Sequence, residues 1–171
     1  MIALCSRSRV SACAKASRRR ALRDSWVGFL GRYDWSMVIT LTFGRKKFRP
    51  RFDRDSKGAE RAFRRLVRYL NEQLYGQRWM SKPPRGGAVW AYVREPQKDG
   101  TLHYHAVLFC HSSVITGNLL ANLSKWWRAR YGSAVVEVPR AKIATLRYLV
   151  KHVGNFENSD VEYSHNFEKS S

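Results

Sequence analysis

A chain of 171 residues is long enough for one domain with a substantial core, and nothing in its length calls for a second. Its 32 Lys+Arg against 13 Asp+Glu give a formal net charge of +19, so a polyanion is the expected partner, nucleic acid first and an anionic membrane surface second. No apolar run is long enough to span a bilayer, and Cys5, Cys13 and Cys110 lack metal-ligand spacing, so membrane insertion is not expected and a reduced, cytoplasmic setting is.

Residues 1–21 are rich in Ser, Ala, Arg and Lys and offer little to a core; they are expected to form a basic arm, weakly ordered or loosely helical, in place of a secretory signal. The domain proper is expected over residues 22–155. Leu22, Trp26, Phe29 and Leu30 recur at helical spacing, with Gly31 as a stop. The β-branched and aromatic run from Met37 to Phe43 is a strand. Residues 44–56 form a basic loop in which Arg45, Lys46 and Lys47 are candidate phosphate contacts. A helix follows over 57–75, with Phe63, Leu66, Val67, Leu70 and Leu74 on one face. Arg61, Arg64, Arg65 and Arg68 occupy its other faces; they are either solvated or, for Arg64 and Arg68 in particular, in contact with nucleic acid.

Strands over 88–95 and 102–110 flank Asp99-Gly100, a hairpin signal. Residues 116–131 are helical, and the adjacent Trp126 and Trp127 cannot share a helix face, so one belongs to the core and the other is free to stack on a base. A short strand over 134–138 and a helix over 141–153, ended by Gly154-Asn155, complete the pattern. The polar stretch 156–171 is expected to be a peripheral tail. Four strands and several helices make an α+β fold.

The chemistry centres on His103-Tyr104-His105. Strand alternation puts both imidazoles on one face, where they can share a cation, and turns Tyr104 away. If Lys98-Asp99-Gly100 is a three-residue loop, Gln97 pairs with Thr101 and Glu95 with His103, which brings a carboxylate to the same face. A two-residue turn would shift the register by one and send Glu95 to the other side. On the last helix Tyr148 and Lys151 are three residues apart and neighbours, with His152 one further round. A tyrosine is a weak nucleophile at neutral pH because its hydroxyl ionises only near ~10, and a lysine and a metal-bound electrophile would both help it attack. Alternatively, both histidines are polar residues on a wet strand face and Tyr148 simply packs.

Taken in order, Val38-Ile39-Thr40-Leu41-Thr42-Phe43, Glu95 with His103-Tyr104-His105, and Tyr148-Leu149-Val150-Lys151 resemble the three motifs of the HUH-endonuclease superfamily. The likeness is to the small rolling-circle replication initiators of plasmids and phages, over residues 37–155. It implies a central antiparallel sheet of about five strands with flanking helices, RRM-like in outline. It also implies a divalent ion, Mn2+ or Mg2+, held by Glu95, His103 and His105, although such ligands would also accept zinc or iron. Tyr148 would be the nucleophile and Lys151 its assistant in a single-strand nickase, with single-stranded DNA or an origin hairpin and the host replication machinery as partners. His152 stands where many relatives carry a second tyrosine, so a single-tyrosine enzyme is implied. A transposase or relaxase of the same superfamily would share this chemistry. A non-catalytic single-strand binder would need only the charge and the tryptophans.

Overall fold

The computed structural model describes residues 3–44, 56–81, 87–110, 115–155 and 160–167, with residues 3–11 and 56 described for their backbone only. Its elements in chain order are α1 (Ala3–Leu30), β1 (Met37–Phe43), α2 (Ser56–Tyr75), β2 (Val89–Pro96), β3 (Leu102–Phe109), α3 (Gly117–Arg130), β4 (Gly132–Glu137), α4 (Lys142–Leu149) and β5 (Val161–Tyr163). The five strands form one sheet in the order β4-β1-β3-β2-β5, and every neighbouring pair is antiparallel. This is the α+β architecture expected. The basic loop carrying Arg45, Lys46 and Lys47 lies outside the described residues.

Alternation along the strands gives the sheet two apolar faces. Met37, Ile39, Leu41 and Phe43 of β1 pack with Tyr104, Ala106 and Leu108 of β3 beneath α2 and α3. On α2 the buried positions Ala59, Ala62, Phe63, Leu66 and Leu70 follow the helical repeat that the sequence displays. On α3, Leu119, Leu123 and Trp127 point inward, and the Thr116 hydroxyl caps the helix by accepting from the Leu119 N–H. The opposite face carries Val89, Ala91, Val93 and Val107 beneath Leu30 of α1 and Leu146 and Leu149 of α4. The sheet is thus the middle of three layers.

Three expectations change. Residues 3–30 are a single helix, but from residue 12 to 22 its side chains are exposed, so only its last turns join the core. Helix α4 stops at Leu149 and the chain runs on to Asn155 in tight turns, with Lys151 N–H bonded to the Tyr148 carbonyl and Val153 N–H to that of Val150. Residues 160–167, the described part of the stretch after Asn155, are not peripheral. They supply β5, which pairs with β2, and Phe167, which is 2% exposed and stacks on Phe29 at 4.7 Å between ring centroids. A strand of three residues in polar surroundings is too short for alternation to announce it. Among the described residues no helix is long and apolar enough to cross a membrane.

Truncating the Phe167 ring tests the role of this segment. Phe167→Ala is expected to lose about 3–5 kcal/mol of stability in urea denaturation. A loss below about 0.5 kcal/mol, the size typical of surface substitutions, would return the segment to the periphery.

Candidate metal centre

The β2–β3 hairpin sets the geometry. Gly100 takes φ +77°, its N–H bonds to the Gln97 carbonyl, and Gln97 N–H bonds to the Thr101 carbonyl at 2.8 Å. The Asp99 carboxylate accepts from the Thr101 N–H and stiffens the loop. The three-residue loop is therefore the one formed, and Glu95 pairs with His103 across the strands.

Glu95, His103 and His105 converge, with one ligand atom from each lying within 4.8 Å of the other two. The carboxylate reaches diagonally: its Oε1 accepts from His105 Nε2 at 3.0 Å, although Val93 is the residue opposite His105. The two imidazoles stand edge to face with centroids 4.6 Å apart. His105 is buried, whereas Glu95 and His103 are half-buried, so the cluster opens to solvent on one side. Behind it, Thr40 Oγ1 lies 3.2 Å from His105 Nδ1 and Thr42 Oγ1 lies 3.0 Å from His103 Nδ1. The Gln97 amide nitrogen is 3.2 Å from the same His103 atom.

The electrostatics favour ligands that need no deprotonation. Burial pushes the Glu95 carboxyl up, but the His105 hydrogen bond and the charges of His105, His152 and Lys151 outweigh it, and the net shift is downward. Burial, reinforced by the His105 charge, lowers His103 to about 4 against the pull of Glu95, so near neutral pH it is uncharged with a lone pair to offer. Glu95 Oε2 is buried without a hydrogen-bond partner. His152 Nε2 comes within 3.0 Å of it, as a charge contact and not as an aligned hydrogen bond. An anionic oxygen with an open lone pair beside the neutral His103 imidazole and a second ring nitrogen donor suits a divalent cation. No cysteine joins the cluster among the described residues: Cys13 is exposed on α1, and Cys110 is buried in the core with its thiol pushed up to about 12 by desolvation.

The end of α4 and the turns that follow it lie over the cluster. The Tyr148 ring stands edge to face with that of His105, centroids 5.1 Å apart, and the residue is 49% exposed. Lys151 Nζ lies 3.9 Å from the centre of the Tyr148 ring, over its face. The tightened turn explains the contact, since side chains three apart eclipse one another in such turns. His152 is held by Asn155 at 3.4 Å, and Arg23 of α1 donates to both the Asn155 side chain and the Val153 carbonyl. Of these, the sequence draws attention to His152 without giving it a role. It presents Thr40 and Thr42 as ordinary strand residues and does not single out Gln97, Asn155 or Arg23. Strand register is the signal that exposes the threonines, because Thr40 pairs with His105 and Thr42 with His103.

Among the described residues, those singled out for nucleic acid do not join this centre. Arg64 and Arg68 are exposed on α2 and Trp126 lies on α3, in the layer across the sheet. Trp126 stacks on Tyr69 at 5.2 Å and carries the Arg130 guanidinium at 4.5 Å, so its ring is already engaged. Trp127 is 0% exposed, packs against Phe43 and donates to the Thr42 carbonyl. It is the core member of the pair and cannot stack on a base.

The fold and cluster together define an α+β protein with a candidate divalent-metal centre at one end of an antiparallel sheet. Residues 36–156 match the family described as Replication-associated protein, of the ORF2 type, and the chain belongs to that family. The match bears out the resemblance to a replication initiator of the HUH superfamily at that coarse level. No curated protein matches the chain. A solved structure described as the hypothetical protein ORF119 from Sulfolobus islandicus rod-shaped virus 1 is similar at 16% identity, with a TM-score of 0.42 over 78% of this chain and 95% of that one.

Titration calorimetry with Mn2+ is expected to find one ion per chain, and His103→Ala with His105→Ala to lose it. Retention of binding in a double variant whose circular dichroism stays native would place the ion elsewhere.

Proposed function

We propose that this replication-associated protein is a metal-dependent single-strand DNA endonuclease, a nickase that initiates rolling-circle replication of a plasmid or phage through a 5′-phosphotyrosine intermediate. The observation that carries this reading is the meeting of Tyr148 with the Glu95-His103-His105 cluster, through a ring contact of 5.1 Å to His105. Packing alone would not leave half of that tyrosine in solvent beside a set of metal-type donors.

In this reading Glu95, His103 and His105 hold a divalent ion, which when bound supplies a Lewis acid to a non-bridging oxygen of the scissile phosphate. The Tyr148 oxygen bonds to phosphorus while the bond from phosphorus to the 3′-oxygen breaks. The phenolic proton is lost and the departing 3′-oxygen takes one up. The products are a free 3′-hydroxyl and a 5′ end esterified to Tyr148. Lys151, lying over the ring, favours the phenolate and the developing phosphate charge. The cluster is half-buried, so water does not fully screen its charges.

Arg64 and Arg68 act on the same DNA at a distance from the ion, as backbone contacts of the opposite layer. Each also pairs with a glutamate one turn away, Arg64 with Glu60 at 2.7 Å and Arg68 with Glu72 at 2.9 Å. Exposed pairs of this kind are worth little, so a phosphate can take over the guanidinium.

Incubation with single-stranded or supercoiled origin DNA and Mn2+ is expected to give a covalent protein–DNA band on a denaturing gel, absent in Tyr148→Phe. An adduct that persists in that variant would discard Tyr148 as the nucleophile. Independently, Arg64→Ala and Arg68→Ala are each expected to lower the slope of log affinity against log salt by about 1. An unchanged slope would remove the α2 face from the DNA path.

A further inference from the structure

We propose that Thr40 and Thr42 are positioning residues for the metal ligands, with hydroxyls that hold the imidazoles before an ion arrives and after it has bound. The inference rests on the metal-binding reading above and adds two residues from a third strand to that site. The pairing is built into the sheet: β1 sets Thr40 opposite His105 and Thr42 opposite His103, on the face away from Ile39 and Leu41. The contacts are 3.2 Å and 3.0 Å, and each reaches Nδ1, the ring nitrogen other than the one His105 turns to Glu95.

Proton balance explains why a hydroxyl suits this place. A carboxylate can only accept, so in the neutral ring of His105 the Glu95 contact calls for the proton on Nε2, and the Nδ1 lone pair then faces Thr40, which donates. When Nε2 becomes a ligand, the neutral ring must carry its proton on Nδ1. That N–H now needs an acceptor, and rotation of the same hydroxyl supplies one. The ring changes tautomer with no net gain or loss of a proton. Valine has the shape of threonine but can neither donate nor accept, so Thr40→Val would leave a polar atom of His105 without a partner at a residue only 3% exposed.

The two positions are not equivalent. His103 Nδ1 also has the Gln97 amide at 3.2 Å, a side chain that offers either a donor or an acceptor, and His103 is itself half-buried. Thr40 is the sole hydrogen-bond partner of His105 Nδ1 among the described residues. Thr40 therefore matters more than Thr42.

The test is Mn2+ affinity of the full chain by calorimetry. Thr40→Val is expected to bind about 10- to 100-fold more weakly, Thr42→Val to lose less, and Thr40→Ser to stay within a few-fold of the parent. In the unsubstituted protein, imidazole 15N spectra are expected to show His105 protonated at Nε2 without metal and at Nδ1 with diamagnetic Mg2+ or Zn2+. Parent-like affinity in a folded Thr40→Val, a Thr40→Ser variant as weak as Thr40→Val, or a His105 tautomer that does not change would each overturn the proposal. The serine variant and the spectra decide the matter even if the valine variant does not fold. A parent chain that binds no divalent ion overturns the metal-binding reading itself, a result distinct from loss of the threonine effect alone.

Discussion

The register of the β2–β3 hairpin is the constraint from which the site follows. With side chains alternating along a strand, a slip of one residue would send Glu95 to the face that holds Tyr92 and Tyr104, into a core of stacked aromatic rings. One positive-φ glycine at position 100 and the hydrogen bonds across the three-residue loop prevent that slip. The neighbouring strands reinforce the choice. The same register buries Trp90 and Tyr92 under α2 and Val89, Ala91 and Val93 under α1 and α4, so a shift would exchange both apolar faces at once.

Three strands also change character near the same end of the sheet. On the face toward α4, β1 runs from Thr42 and Thr40 to Val38, β3 from His103 and His105 to Val107, and β2 from Glu95 to Val93. Strand register sets the changes of β1 and β3 side by side, while β2 turns apolar one pair earlier, at Val93 opposite His105. The result is a polar strip across one end of a sheet whose remainder is held by apolar burial. Groups that would destabilise a closed core are tolerated here because the strip is open on one side and most of its members satisfy one another, Glu95 Oε2 excepted. Helix α4 covers the apolar part with Leu146 and Leu149, and its end and the turns that follow bring Tyr148, Lys151 and His152 over the polar part.

Much of this was legible in the sequence because local periodicity carries it. The α2 face, the alternation of β1, the pairing of His103 with His105 and the hairpin signal are all short-range patterns with a physical cause. The rest depends on contacts between distant segments. Phe167 is buried by partners on α1, which no spacing within the tail reveals. Helix α1 extends through residues whose described side chains touch little, so amphipathic spacing found only its packed end. The α4 spacing put Tyr148 beside Lys151 for a sound reason, yet the helix had already ended and a tighter turn made the contact. Of the two tryptophans, helical spacing could say that only one is core; the hydrogen bond from Trp127 to the Thr42 carbonyl is what decides between them.

The segment after α4 has few interactions of its own kind to hold it, so its anchoring comes from outside. Arg23 donates to the Val153 carbonyl at 3.1 Å and to the Asn155 side chain at 2.7 Å, and Asn155 in turn holds His152 against Glu95. The packed end of α1 thus reaches the candidate ligands through a short polar chain, while Val150 and Val153 fasten the same turns to the core. On the proposed reading, a nucleophile at the end of α4 would gain from such support, because tethered turns beside it hold its approach angle where a free loop would not. The N-terminal helix therefore belongs to the architecture of the site even though none of its described residues touches the metal-type donors directly.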